Sequence, residues 1–102
     1  MELLKDDFLE RIEKGVFIVD FFATWCGPCK MLSPLLDEVL EGYVNKVSFI
    51  KVDVDKFRDL AINYKVRGVP TVICFKDGLP YKEFSGYIPK QRIVDFIEDC
   101  LK

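Results

Sequence analysis

The segment VFIVDFF, residues 16–22, constrains the fold more than any other stretch of the chain. It is short, β-branched and aromatic, which favours a strand over a helix. Both of its alternating faces are apolar, so the strand has to be covered on both sides. That requirement excludes a sheet with one solvated face and calls for helices packed above and below.

The rest of the chain supplies them. Asp7-Phe8-Leu9-Glu10 reads as a capping box, with Phe8, Leu9 and Ile12 on one helical face and Gly15 as a stop. Residues from about Gly27 to Leu40 carry Leu32, Leu35, Leu36, Val39 and Leu40 at helical spacing. Pro34 should kink that helix and Gly42 can end it. Val47–Val54 reads as a second strand, and Asp55 as the cap of a helix bearing Leu60, Ala61 and Tyr64. Thr71–Phe75 is a third strand, Asp77-Gly78 a hairpin turn, and Tyr81–Ser85 its returning partner. Pro89 suits the first turn of a last helix, whose apolar stripe is Ile93, Phe96, Ile97, Cys100 and Leu101. A strand, helix and strand in series require a parallel crossover, whereas the closing hairpin is antiparallel. The expectation is a single α/β domain over residues 1–102, with a mixed central sheet flanked by helices on both faces.

Charge and hydropathy narrow the function. With 15 basic and 17 acidic residues the net charge is −2, and no basic block stands out, so neither nucleic acid nor anionic membrane is an expected partner. The N-terminus, MELLKDDFLERIEKG, is charged throughout and lacks the apolar stretch of a signal peptide. Apolar runs fall far short of the ~20 residues of a membrane span. A cytoplasmic protein is expected. In that reducing compartment, cysteines are more often catalytic or metal-binding than structural.

Cys26 and Cys29 flank Gly27-Pro28 in WCGPCK, where the first strand gives way to the long helix. Three readings compete. Zinc needs four ligands; this motif offers two, the chain has no His, and Cys74 and Cys100 stand singly. A structural disulfide closing so small a ring would constrain little of the unfolded chain. A reactive dithiol agrees best with the position, because unpaired N–H groups and the positive dipole end of a helix N-terminus stabilise a thiolate. Cys26 would then attack, and Cys29, one turn further in, would resolve the mixed disulfide. Pro28 costs no hydrogen bond in a first turn and stiffens the loop.

With these residues in view, the chain resembles the thioredoxin family. VDFFATWCGPCKMLSPLLDEV is similar to the family's active-site segment almost position by position, and RGVPT, FKDG and FSG follow in the family's order. The similarity covers nearly the whole chain. It implies a thioredoxin fold of four to five strands and a general protein-disulfide reductase that cycles between dithiol and disulfide. It further implies disulfide-containing protein substrates, a thioredoxin reductase as electron donor, a monomer, and no metal or other cofactor. Oxidising or isomerising relatives often carry His between the cysteines; Gly27-Pro28 brings no such charge, so the poise should favour reduction.

The resemblance also assigns residues beyond the cysteines. Asp20, an acid in an otherwise apolar strand, would be a buried proton acceptor for Cys29, with its pKa raised by burial; a solvated strand edge is the plainer alternative. Lys51, on the neighbouring strand, would lie near that carboxyl, although lysines are usually surface residues. Pro70 matches the family's cis-proline, leaving the backbone of Val69 free to pair with an extended substrate segment. Trp25, Gly27, Pro28, Gly68, Val69 and Gly86 would complete a flat contact surface around Cys26, with ordinary turn glycine as the alternative for Gly68 and Gly86. The chain departs from the family in three places. Only MELL precedes the first helix, so the N-terminal edge strand should be short or missing. Phe22 stands where many relatives carry Trp. Cys74 and Cys100 are additional, and both are expected in the core.

Overall fold

A computed structural model describes residues 2–3 and 7–102. In chain order the elements are β1 (Glu2–Leu3), α1 (Phe8–Arg11), β2 (Val16–Phe22), α2 (Gly27–Glu41), β3 (Ser48–Asp53), α3 (Arg58–Asn63), β4 (Thr71–Lys76), β5 (Leu79–Ser85) and α4 (Lys90–Cys100). The five strands form one mixed sheet in the order β1-β3-β2-β4-β5. β3 runs parallel to β1 and to β2, while β4 pairs antiparallel with β2 and β5. The N-terminal edge strand is thus short and not missing: two residues, Glu2 opposite Ile50 and Leu3 opposite Lys51.

β2 occupies the centre of the sheet, and its strict alternation sorts the core into two layers. Ile18 joins Val72 and Cys74 of β4 beneath Leu32, Leu36, Val39 and Leu40 of α2 and Ile93, Phe96, Ile97 and Cys100 of α4. Val19 and Phe21 point the other way, with Ile50, Val52, Ile73 and Phe75, onto Phe8 and Ile12. Phe8, Tyr64 and Phe75 stack edge to face there, with centroids 5.0–5.9 Å apart. Each fully buried Ile, Leu or Phe contributes about 1.5–3 kcal/mol of transfer free energy, so both faces of the sheet are anchored. Two steps along the strand from Ile18, Asp20 shares the α2 side.

At the hairpin, Asp77 and Gly78 both take positive φ, 50° and 89°, as a tight two-residue turn matched to strand twist requires. The Asp77 carboxylate also accepts from Gly15 N–H at 2.8 Å, and Asp77 N–H donates to Gly15 O at 2.9 Å, tying the turn to the start of β2.

Several local expectations fail. Asp7 precedes α1 but caps it with no side-chain hydrogen bond, and α1 is only four residues long. Leu9 is 69% exposed, because so short a helix buries only Phe8 among its own residues. Asp55 does not cap α3: the helix starts three residues later, after Phe57. Its carboxylate accepts from the Trp25 indole instead. Pro89 precedes α4 and is not in its first turn. Other expectations hold: α2 contains Pro34 and runs to Glu41, and Gly42 ends it, in a right-handed conformation, φ −74°.

Candidate active site

The end of β2 delivers the chain to a short turn, and the turn delivers Cys26 to the N-terminus of α2. Cys26 is the N-cap, with extended backbone, φ −87° and ψ 115°; Gly27 and Pro28 form the first helical positions. Its Sγ accepts a hydrogen bond from the Cys29 N–H at 3.2 Å, so a free helix-terminal donor points at sulfur. Cys26 and Cys29 are joined by a disulfide with Cα atoms 5.3 Å apart, inside the range that such a bond spans. Both are buried, and they pack with Ala23 against Phe22, Val54 and Val69.

The loop before β4 meets this turn. The Val69–Pro70 peptide bond is cis, and the Val69 carbonyl oxygen lies 3.6 Å from Cys26 Sγ. Gly86 donates its N–H to the Pro70 carbonyl at 2.9 Å, so it too lies against the proline. Its φ of +78° is a conformation that glycine adopts freely and other residues do not. Thr71 Oγ1 donates to the Gly68 carbonyl at 2.7 Å and lies 3.3 Å from Ser85 Oγ, holding the loop to the β4–β5 ladder. At Gly27 and Gly68 an added Cβ would meet nothing within 4 Å, so neither glycine is required by packing within the chain.

Trp25 is 70% exposed beside the cysteines. Its indole N–H donates to Asp55 Oδ2 at 2.9 Å, and Asp53 Oδ1 accepts from the Asp55 N–H at 2.9 Å, fixing the carboxylate that holds the ring. The sequence reading missed Asp55 in this role. Its position after a strand suggested a helix cap, and nothing local marks a partner thirty residues away.

Asp20 is 1% exposed, and its Oδ1 has no hydrogen-bond partner among the described residues. Burial pushes its pKa up from 3.8 to about 6; Lys51 draws it down and Asp37 adds to the rise. Lys51 stands opposite Asp20 in the parallel register of β2 and β3. It is half-buried, with its ammonium 3.0 Å from Ser33 Oγ and 4.7 Å from the centre of the Phe22 ring. Ser33 and Phe22 are further neighbours that sequence reasoning did not assign to the site.

Cys74 and Cys100 are free, fully buried thiols on β4 and α4. A hydrogen bond from one to the other lowers Cys74, and the same bond, with burial, pushes Cys100 up. Both belong to the core layer under α2 and α4. Among the described residues no group of three or more His, Cys, Asp or Glu gathers as a metal site would require.

Comparison with known proteins agrees with this geometry. The family profile described as Thioredoxin matches residues 1–99. The chain belongs to the thioredoxin family. It is 44% identical over 95 residues to the thioredoxins of Staphylococcus aureus strains Mu50 / ATCC 700699, MW2 and N315, covering 93% of this chain and 91% of each relative. A thioredoxin whose CGPC cysteines are joined in a disulfide is a thiol–disulfide oxidoreductase, and the chain's function is the reduction of protein disulfides at Cys26 and Cys29.

Proposed function

We propose that Cys26 is the attacking thiolate and Cys29 the resolving thiol. The Cys26 thiolate attacks one sulfur of a substrate disulfide; that S–S bond breaks, and one substrate thiolate departs. Cys29, deprotonated by Asp20, then attacks Cys26 Sγ and expels the second substrate thiolate. Two electrons pass from the dithiol to the substrate, leaving the Cys26–Cys29 disulfide. A thioredoxin reductase returns them. The observation that carries this assignment is the Cys29 N–H aimed at Cys26 Sγ at 3.2 Å, because the helix-terminal dipole and that donor both favour negative charge on Cys26.

Asp20 suits the proton-accepting role because a carboxyl with a pKa of about 6 is mostly ionised near neutrality yet basic enough to take a thiol proton. Lys51 tempers that basicity. Trp25, Gly27, Pro28, Gly68, Val69, Pro70 and Gly86 receive the substrate. This reading is supported by the exposure of Trp25, Gly27, Pro28 and Gly68 and by the nearness of the Val69 carbonyl to sulfur. An extended peptide would bond that backbone as an added strand, which explains tolerance of many disulfide-containing partners.

The 102 residues act as one monomeric domain in the cytoplasm. No helix among the described residues is long and apolar enough to cross a membrane. The test is redox titration against a dithiothreitol or glutathione series, with reduction of an insulin disulfide as the activity. A potential near the thioredoxin value of about −270 mV is expected; one above about −200 mV would mark an oxidant instead.

A further inference from the structure

We propose that Ser33, together with the ring of Phe22, clamps the Lys51 ammonium beside Asp20 and is thereby a positioning residue for the proton-accepting carboxyl. A lysine ammonium is strongly hydrated and rides on a four-carbon stem, so at a half-buried site it leaves for water unless something holds it. Two groups hold it here. The Ser33 hydroxyl, one turn beyond Cys29 on α2, accepts from Nζ at 3.0 Å, and the Phe22 ring lies under the charge at 4.7 Å.

Both groups come from elements that already frame Asp20. Phe22 is two residues along β2, on the same face of the strand. Ser33 hangs from the helix that covers that face. Lys51 is the register partner of Asp20 on β3. The hydroxyl therefore locks the ammonium between the helix and the strand pair, close enough to act on Asp20 through space while its hydrogen bond is made elsewhere.

The other described groups around Asp20 offer no substitute. Asp37 on α2 opposes its ionisation, the β4 register partner is the uncharged Val72, and Cys29 is tied in the disulfide. Among the described residues, Lys51 is the group that favours the charged carboxylate. How firmly the ammonium is held thus decides how far burial prevails.

The inference rests on Asp20 as proton acceptor for its consequence in catalysis, but the clamp can be measured without it. In the oxidised protein the active-site cysteines do not titrate, so the Asp20 carboxyl resonance reports its own pKa. Wild type, Ser33→Ala, Ser33→Thr, Lys51→Met and the double variant Ser33→Ala/Lys51→Met should be titrated by carbon-13 NMR. Ser33→Ala should raise the Asp20 pKa by about half to one unit, as expected when a unit charge withdraws by a few ångström at an effective dielectric of ~20. Ser33→Thr, which keeps the hydroxyl, should restore the wild-type value. Lys51→Met should raise the pKa at least as far, and adding Ser33→Ala to it should change nothing more. An unchanged or lowered pKa in Ser33→Ala, or an equal shift with Lys51 already absent, overturns the clamp.

The pH profile of mixed-disulfide resolution supplies the second arm. A profile that moves with the NMR value supports both ideas. A profile that stays put while the carboxyl shifts keeps the clamp and removes Asp20 from proton transfer.

Discussion

Replacing Asp20 by Asn removes a charge that the fold has to bury, and the size of the effect follows from the raised pKa. Going from 3.8 to about 6 is roughly two units. At 1.36 kcal/mol per unit this costs about 3 kcal/mol whenever the carboxyl is ionised in the folded state. The sign is that of a raised acid. Between 3.8 and about 6 the folded state binds the proton more tightly than the unfolded chain, so wild-type stability falls as pH rises through this window and the penalty stays constant above it. Asn keeps the shape but cannot ionise. Whatever its buried amide costs does not depend on pH, so it cancels when the variant is compared with wild type at two pH values. Urea unfolding followed by circular dichroism, at about pH 8 and about pH 3, gives the double difference. The variant should gain about 3 kcal/mol relative to wild type between the acid and the alkaline measurement, or about 2 M in urea midpoint for a slope near 1.5 kcal/mol/M. A double difference near zero would mean that Asp20 is not a desolvated acid, and its role as a tuned proton acceptor would fall with it.

Other outcomes follow from the same structure. Asp55→Ala should change the emission of Trp25, the chain's single tryptophan, while costing no more than ~1 kcal/mol, since the lost bond is exposed; unchanged fluorescence would place the indole elsewhere in solution. Gly86→Ala should destabilise the protein by roughly 1–2 kcal/mol through its positive φ alone, because an added Cβ there meets no atom, and thermal unfolding measures it. In reduced native protein, iodoacetamide should modify Cys26, whereas Cys74 and Cys100 should react only after denaturation; peptide mass spectrometry would expose early labelling of either buried thiol.

The features legible in the sequence were those written in local pattern. β2 announced itself by being apolar on both faces, α2 and α4 by helical stripes, and the hairpin by Asp77-Gly78, whose positive φ angles the turn demands. The dithiol was legible because its chemistry comes from a strand-to-helix junction, which is itself local. What escaped was set by distance and competition. Asp7 and Asp55 each look like caps, yet a four-residue helix gains little from one, and Asp55 is held by an indole across the site. Leu9 fits a helical stripe, but its helix is too short to bury it. Ser33 meets Lys51 only because the strand register and the helix placement bring them together, and no spacing within one element encodes that contact.

The division of labour between the two cysteines is the centre of the account, and a Cys29→Ser variant tests it most directly. Incubated in reduced form with a disulfide substrate, that variant should stop at the mixed disulfide, and mass spectrometry of the digested complex should find the substrate on Cys26. Full turnover by the variant would contradict the assignment of Cys29 as the resolving thiol, and so of Cys26 as the attacking one.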